Sequence, residues 1–205
     1  MKIILHKSDL PENSKFKNSD SVAIDAESLG LNYLQRDKLC LAQLCSGDDE
    51  VHIIQFNRKD YSCPNFVKIL ENDKIKKIGH FIRFEMGIFN RYLNAKTKNV
   101  YCTKIASKLV RTYTDKHGLF DLTKDLIGIT INKAMQSSDW GANELSKEQL
   151  NYAATDVINL HKIKIKLDKM LIREKRDITA NECFNFLETI VDLDLKDFKE
   201  DIFSH

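Results

Sequence analysis

Apolar residues in the first half of the chain form short runs with the spacing of β-strands. Residues 22–27 and 39–45 are almost continuously apolar, which is typical of strands buried on both faces of a sheet. Residues 50–55 alternate between apolar and polar side chains and predict a half-exposed strand, and the Ser-Gly-Asp-Asp segment before them predicts a hairpin turn. Shorter strands are predicted at residues 2–6, 76–79 and 99–102.

Helical patterns interleave with the later strands and dominate the second half of the chain. They predict helices at residues 65–72, 81–92, 105–110, 119–127 and 132–136. The longest predicted helix begins after Ser146, a residue suited to the N-cap, and has acidic and amide residues in its first turn. One stripe along it is apolar at five of six positions: Leu150, Ala153, Val157, Leu160, Lys164 and Leu167. This order of elements favours an α/β fold, a mixed sheet with helices on both faces.

The end of the chain, about residues 184–205, is too apolar for a frayed terminus. Its apolar side chains are those of Phe184, Phe186, Leu187, Ile190, Val191, Leu193, Leu195, Phe198, Ile202 and Phe203. We expect this tail to pack either on the domain or on a neighbouring subunit, and we favour the subunit contact. The length of 205 residues fits a single domain over residues 1–205.

The charge balance argues against a protein that tracks long nucleic acid. Lys and Arg number 32 and Asp and Glu 30, which leaves a net charge of +2. Binding to long duplexes usually requires a larger basic excess, so any nucleic-acid contact is expected to be short or local. A metal-dependent nuclease stays compatible with this balance, because cations can hold the phosphates.

The sequence predicts a cytoplasmic protein. The N-terminus turns polar within six residues and lacks the pattern of a signal peptide, and no apolar run approaches the length of a membrane span. The five cysteines lack CxxC spacing, which favours small core residues in a reducing compartment over disulfides or structural zinc.

Two carboxylates interrupt the first core strand. Asp25 and Glu27 are two residues apart, so in a strand both side chains point to the same side of the sheet. Buried sheets avoid unpaired carboxylates, and two like charges there are neutralised most simply by a divalent cation between their oxygens. The alternative is that the strand ends at Ile24 and both acids lie in a solvated turn.

Three more residues extend this acidic pair. Tyr152 and Asp156 are four residues apart, on one face of the predicted long helix. Glu85 follows a predicted buried strand at the start of a helix, so it can reach the same sheet edge. Several carboxylates without softer ligands suit Mg²⁺ or Mn²⁺. Two such ions about 4 Å apart assist an in-line phosphoryl displacement, and a tyrosine hydroxyl can orient the attacking water.

These residues lie in segments that resemble a known family. Asp25-Ala-Glu27, the segment from His80 to Glu85 and the segment from Tyr152 to Asp156 are similar to the three exonuclease motifs of the DEDDy 3′→5′ exonucleases, the ribonuclease D-like group. Further similar segments lie at residues 102–109, 111–119, 136–140 and 145–157. The resemblance implies a ribonuclease H-like mixed sheet with Asp25 and Glu27 on its central strand.

The resemblance also implies roles for individual residues. The metal ligands would be Asp25, Glu27, Glu85 and Asp156, holding two divalent cations, and Tyr152 would position the attacking water. Leu31 matches the place where such enzymes wedge an apolar side chain against a base, with a plain core leucine as the alternative. The candidate substrate contacts include His80, Tyr113 and His117 for sugar or terminal phosphate, and Gln136 and Ser138 in a motif whose role is partly structural. We expect Trp140 in that motif to pack in the core.

The short chain resembles most the nano-RNase C branch of the family. That branch hydrolyses diribonucleotides and very short RNA to mononucleotides and assembles into a homo-octamer, so short RNA is the expected substrate. One rival is a nuclease that trims longer RNA 3′ ends or degrades DNA. A second is a catalytically weakened nucleic-acid-binding protein, and a third is an α/β domain without metal chemistry.

Glu85 stands where the family's second motif has aspartate. Its extra methylene moves the carboxylate by roughly one C–C bond, whereas a site needs its ligands within about 0.5 Å of productive geometry. We therefore hypothesise an active enzyme that is slower or more dependent on Mn²⁺.

Overall fold

Six strands form one mixed sheet in the computed structural model, which describes residues 1–131, 138–198, 200 and 202. The strands are β1 (Lys2–Lys7), β2 (Ser21–Ser28), β3 (Leu39–Cys45), β4 (Glu50–Gln55), β5 (Lys76–Gly79) and β6 (Val100–Cys102). Their order across the sheet is β1-β4-β3-β2-β5-β6. The described helices are α1 (Pro64–Glu71), α2 (Arg83–Leu93), α3 (Thr103–Val110), α4 (Leu119–Ile127), α5 (Lys147–Ile158), α6 (Leu160–Arg173) and α7 (Asp177–Leu195), with a 3₁₀ turn at Lys15–Asn18. The predicted α/β fold, a mixed sheet flanked by helices, is confirmed.

Strand β2 lies inside the sheet at the point where strand direction changes. It pairs antiparallel with β3 and parallel with β5. The strand continues through Asp25 and Glu27, which pair with Gln43 and Leu41 of β3, and an irregularity in the pairing follows Glu27. The alternative in which β2 ends at Ile24 is therefore wrong.

Strand β4 is more buried than its alternating sequence predicts. The four residues between Glu50 and Gln55 are all buried. The polar His52 is covered because its ring stacks with His6 of β1 at a centroid distance of 5.0 Å and meets the edge of Phe16. The prediction of a half-exposed strand was wrong because β1 pairs with β4 on one side and α5 packs against it.

The single long helix predicted after Ser146 is divided in two. The N-cap is confirmed, since Ser146 and Gln149 form a reciprocal capping box. The helix then ends at Asn159, whose φ of −99° and ψ of −8° depart from regular helix geometry. Asparagine forms local hydrogen bonds that compete with the helix, so it favours such a break. The break lets α5 pack against the sheet while α6 turns its apolar face towards α3 and α4.

The longest of the described helices is α7, for which the sequence predicts only an apolar tail. Phe184, Leu187 and Val191 are buried, and the Phe184 ring lies 4.7 Å from that of Tyr101. Leu195 also packs against the core, whereas Phe186 is 42% and Phe198 54% exposed. Contact of the tail with a neighbouring subunit stays a prediction. The predicted helix at residues 132–136 lies outside the described residues.

None of the helices in the described part of the chain has both the length and the apolar character needed to cross a bilayer.

Candidate active site

Two elements bring three carboxylates together. Asp25 and Glu27 alternate with the buried Ala26 on β2, so both side chains lie on the same side of the sheet. Helix α5 packs against β2, β3 and β4 and carries Asp156 to the same place. One carboxylate oxygen of each acid lies within 4.8 Å of one from each of the others.

The three carboxylates line a cavity of about 330 Å³. Its wall is formed by Asp25, Glu27, His80, Gly118, Leu119, Phe120, Ile131, Tyr152 and Asp156. The sequence-predicted residues His80 and Tyr152 thus share one cavity with the three acids. Four wall residues, Gly118, Leu119, Phe120 and Ile131, were missed as site residues. The segment 111–119 contributed to the family resemblance, but nothing in its local pattern shows that the N-terminus of α4 faces the carboxylates.

Glu85 lies beside this cavity in the first turn of α2. Its side chain is buried, and its Oε2 atom has no hydrogen-bond partner among the described residues. Glu85 is outside the group of oxygens that lie within 4.8 Å of one another, yet its charge raises the pKa of Asp25 and of Glu27. A buried carboxylate oxygen without a partner is unfavourable, so Glu85 requires a cation or a proton.

The acids repel one another in the absence of a cation. Burial, together with the charges of Glu85, Asp156 and Glu27, holds the pKa of Asp25 well above its ordinary value. Burial, followed by the charges of Asp156 and Glu85, raises the pKa of Glu27 to about 9. Burial, together with the charge of Asp156, raises the pKa of Glu85 to about 8 and outweighs a backbone hydrogen bond that lowers it. Burial raises the pKa of Asp156 to about 7. A divalent cation would remove this penalty by allowing all four groups to ionise.

The donor set fits hard divalent cations. Asp25, Glu27 and Asp156 offer oxygen ligands within reach of one ion, and the free oxygen of Glu85 offers another close by. Carboxylate oxygens without thiolate or imidazole partners are the ligands that Mg²⁺ and Mn²⁺ prefer. The cluster can therefore hold the divalent cations that the sequence predicts.

Tyr152 presents a protonated hydroxyl to the carboxylates. It is half-buried, and burial together with the charges of Asp156, Glu27 and Asp25 raises the pKa of its phenol far above neutrality. The indole of Trp140 lies 6.0 Å from its ring and is itself buried. The expectation that Trp140 packs in the core agrees with this position, and the packing holds the tyrosine ring in place.

His80 is neutral at the wall of the cavity. Burial and the nearby Lys104 ammonium lower the pKa of His80 to about 3. Its Nδ1 atom is hydrogen-bonded to the Thr103 hydroxyl at 3.0 Å. Lys104, which was not predicted as a site residue, brings a positive charge to this side of the cavity.

Leu31 is not a core residue. Its side chain is 84% exposed, and it lines a second cavity together with Phe81. The alternative of a plain core leucine is therefore wrong, and a contact to a base stays a prediction.

Three further substrate candidates, Tyr113, His117 and Ser138, are not among the residues that line the carboxylate cavity. Tyr113 is 75% exposed on the loop after α3, and His117 on the same loop is hydrogen-bonded to the buried Ser107 at 2.8 Å. Ser138 accepts a hydrogen bond from the Gln149 side chain at 2.6 Å, which is a structural contact to α5. Gln136 lies outside the described residues.

The fold and this site define a class of nuclease, and the chain belongs to it: residues 3–172 match the 3′-5′ exonuclease family. Among solved structures, NrnC from Brucella melitensis is similar at 45% identity and a TM-score of 0.95, covering 100% of this chain and 99% of that one. The same protein with bound Mg²⁺ gives 44% identity and a TM-score of 0.94, with 100% of both chains covered. A further structure shows it bound to pGG, again at 45% identity, with a TM-score of 0.95 and 100% and 99% of the two chains covered.

Ribonuclease D from Gluconacetobacter diazotrophicus is a more distant relative. It is 32% identical over 139 residues, which are 68% of this chain and 35% of its own length. The chain thus spans about a third of the length of this curated relative.

Proposed function

We propose that the protein is a two-metal-dependent 3′→5′ exoribonuclease that hydrolyses diribonucleotides and very short RNA to nucleoside 5′-monophosphates. The observation that carries this proposal is the convergence of Asp25, Glu27 and Asp156 with the protonated Tyr152 in one cavity. Carboxylates that hold cations and a phenol that holds water are the parts that hydrolysis of a phosphodiester needs.

Each residue of the site has a separate task in this reaction. Divalent cations held there would supply Lewis-acid chemistry, namely activation of a water and stabilisation of the charge on the reacting oxygens. Asp25, Glu27, Glu85 and Asp156 would hold the cations. The Tyr152 hydroxyl keeps its proton and fixes the water by a hydrogen bond. The neutral His80 can form a hydrogen bond to a sugar or phosphate oxygen, and it adds no positive charge beside the cations.

The preference for very short RNA is supported by similarity and by charge. The chain matches NrnC of Brucella melitensis over its full length, and that protein has been solved with pGG. The chain carries no basic excess that would hold a long RNA.

Product analysis with a 5′-labelled dinucleotide, with and without Mn²⁺, tests the reaction. We expect mononucleotide to accumulate only when metal is present. A length series of labelled RNA and DNA tests the substrate class, and we expect the rate to fall sharply beyond a few nucleotides. Equal rates on long substrates would favour trimming of longer 3′ ends, and no hydrolysis of any substrate would refute the proposal.

Glu85 favours one alternative function, that of a weakened nuclease that binds nucleic acid. We expect the wild type to be active, with Glu85→Asp faster in Mg²⁺ and Glu85→Gln weaker in both metals. The Mn²⁺ affinities, measured by calorimetry, should fall in the order Glu85→Asp, wild type, Glu85→Gln. The reason is that the length and charge of this side chain directly determine how well it binds the metal. An inactive wild type rescued by Glu85→Asp would instead establish the natural site as disabled.

We further infer assembly into a homo-octamer, which the resemblance to nano-RNase C implies. Exposed apolar side chains on α6, on α7 and beyond supply surface that such an assembly can bury: Ile165, Ile172, Ile178 and Phe198. Native mass spectrometry should find eight chains of 23.7 kDa. A monomer at micromolar concentration would contradict this inference. The cytoplasmic location stays a prediction.

A further inference from the structure

Phe81 has a backbone conformation that side chains rarely adopt. It lies between β5 and α2 with a φ of +61°, in the left-handed region. There the Cβ atom of an L-residue crowds the backbone, and only glycine enters this region without that strain. Such strain persists where the surroundings enforce it, and it is concentrated at functional sites.

The surroundings of Phe81 enforce the conformation from both sides. The Phe81 carbonyl accepts a hydrogen bond from the Phe84 amide at 3.0 Å, which closes the first turn of α2. The preceding His80 is tied to Thr103, and the Thr103 hydroxyl contacts the Gly79 carbonyl at 3.2 Å. The turn is therefore fixed, and glycine at this position would satisfy its geometry.

Burial does not explain why a phenyl ring occupies this position. The side chain of Phe81 is 46% exposed, so about half of its apolar surface stays in water. The Lys104 ammonium lies 4.5 Å from the ring centroid, which is a cation–π contact on one side of the ring. A strained turn thus holds an aromatic ring at the surface, against a positive charge.

The ring borders a cavity next to the carboxylates. This second cavity has a volume of about 480 Å³, and its wall includes Leu31, Phe81, Phe84 and Phe198. His80 lines the carboxylate cavity, and the next residue along the chain, Phe81, lines the second one. Likewise Glu27 lines the first cavity and Leu31, just after the end of β2, lines the second. The two cavities therefore adjoin at the ends of two neighbouring strands.

We propose that Phe81 is an aromatic platform on which a nucleobase of the substrate stacks, in the cavity that it shares with Leu31. This inference rests on the proposed nuclease function. The wall of this cavity combines aromatic and apolar side chains with charged ones such as Arg36 and Asp37. Such a mixed wall beside a phosphodiester site matches a nucleoside, whose base has a flat π face and polar edges and whose phosphate lies next to the carboxylates. Stacking on an aromatic ring accepts any base, so this contact contributes affinity without selecting a sequence.

Substitutions at Phe81 distinguish the effect of the aromatic ring from the effect of the strained backbone. Phe81→Gly removes the ring and relieves the positive φ, whereas Phe81→Trp keeps an aromatic platform. Lys175→Gly is the matched control, because Lys175 also has a positive φ, of 53°, in an exposed loop outside both cavities. For each variant we measure the KM for a dinucleotide and the melting temperature. We also measure the fluorescence of a dinucleotide that contains 2-aminopurine, bound to the protein in the presence of EDTA.

We expect Phe81→Gly to raise KM by about 5- to 150-fold, the range for loss of one base–aromatic contact, and to abolish the quenching of 2-aminopurine. Its melting temperature should stay near that of the wild type. Phe81→Trp should keep both KM and quenching, and Lys175→Gly should leave KM unchanged.

Two outcomes would overturn the proposal. One is an unchanged KM and unchanged quenching in Phe81→Gly while the wild type hydrolyses dinucleotides, which leaves the nuclease function intact. The other is a change in assembly mass together with loss of activity, which assigns the ring to a contact between chains. A wild type without hydrolysis would instead refute the proposed function, and the binding assay in EDTA would still test the platform.

Discussion

At the scale of single residues, local spacing was enough to find the carboxylates and the tyrosine. The two-residue period of β2 aligns Asp25 with Glu27, and one helical turn aligns Tyr152 with Asp156, so each pair can be read from the sequence. Two other residues depend on loops. The exposure of Leu31 and the positive φ of Phe81 arise from how the chain leaves β2 and β5, which no periodicity encodes.

Removal of the Tyr152 hydroxyl should slow catalysis without weakening metal binding. We expect Tyr152→Phe to lower kcat by about 10²- to 10⁴-fold, the usual contribution of a side chain that positions or transfers a proton. The Mn²⁺ dissociation constant should change little, because the carboxylates remain. The control is Tyr61→Phe, which loses a hydroxyl that donates to the Leu39 carbonyl, away from both cavities. A Tyr152→Phe variant with wild-type kcat would refute the assigned role.

At the scale of elements, strand and helix positions were predictable, but helix interruptions were not. Strands β3, β4 and β5 begin and end at the predicted residues, because turn or loop residues flank each of them. The sequence does not predict the break at Asn159, because the apolar stripe continues through it. The change of direction follows from packing, since α5 contacts the sheet and α6 contacts α3 and α4. The length of α7 was missed because its sequence shows only an apolar tail.

The loop between α3 and α4 is stabilised by the buried side chain of Arg111. The Arg111 guanidinium is buried, donates to the Lys116 carbonyl at 2.8 Å and forms an ion pair with Asp125 of α4. These contacts hold the N-terminus of α4, where Gly118 lines the carboxylate cavity. Arg111 is thus a positioning residue.

We expect Arg111→Lys to lower the free energy of unfolding by about 1–3 kcal/mol, because lysine cannot reproduce the forked hydrogen bonds. The dinucleotide KM should rise as the α4 end loosens, while the Mn²⁺ affinity stays unchanged. Denaturant unfolding and steady-state kinetics measure these effects. Arg173→Lys, at an exposed side chain, is the control, and equal stability of the two variants would contradict the role.

At the scale of the whole molecule, the carboxylates link stability to pH and to metal. Their pKa values in the folded protein lie above the ordinary values of about 4 for acidic side chains. The native state without metal therefore binds more protons than the unfolded chain between about pH 4 and pH 9, so its stability falls as the pH rises through that window. Metal binding requires the ionised carboxylates and acts in the opposite direction.

We expect Mg²⁺ to raise the melting temperature more at about pH 8 than at about pH 5. At 100 times its dissociation constant the gain at the higher pH should be about 5–10 °C. Thermal unfolding at both pH values measures the difference. Asp25→Asn is the control, because it relieves repulsion in the absence of metal and should nearly abolish the gain. An equal gain at both pH values would show that the carboxylates do not bind the ion.

The site joins β2 to α5, elements that are far apart in the chain, and this has a consequence for synthesis. A nascent chain that has emerged as far as α4 carries Asp25 and Glu27 but lacks both Tyr152 and Asp156. Domains generally fold as units while the ribosome adds residues from the N-terminus. The carboxylate cluster is therefore completed only after α5 has been synthesised, so a nascent chain that ends before Asp156 lacks one of the acids that would bind the cations.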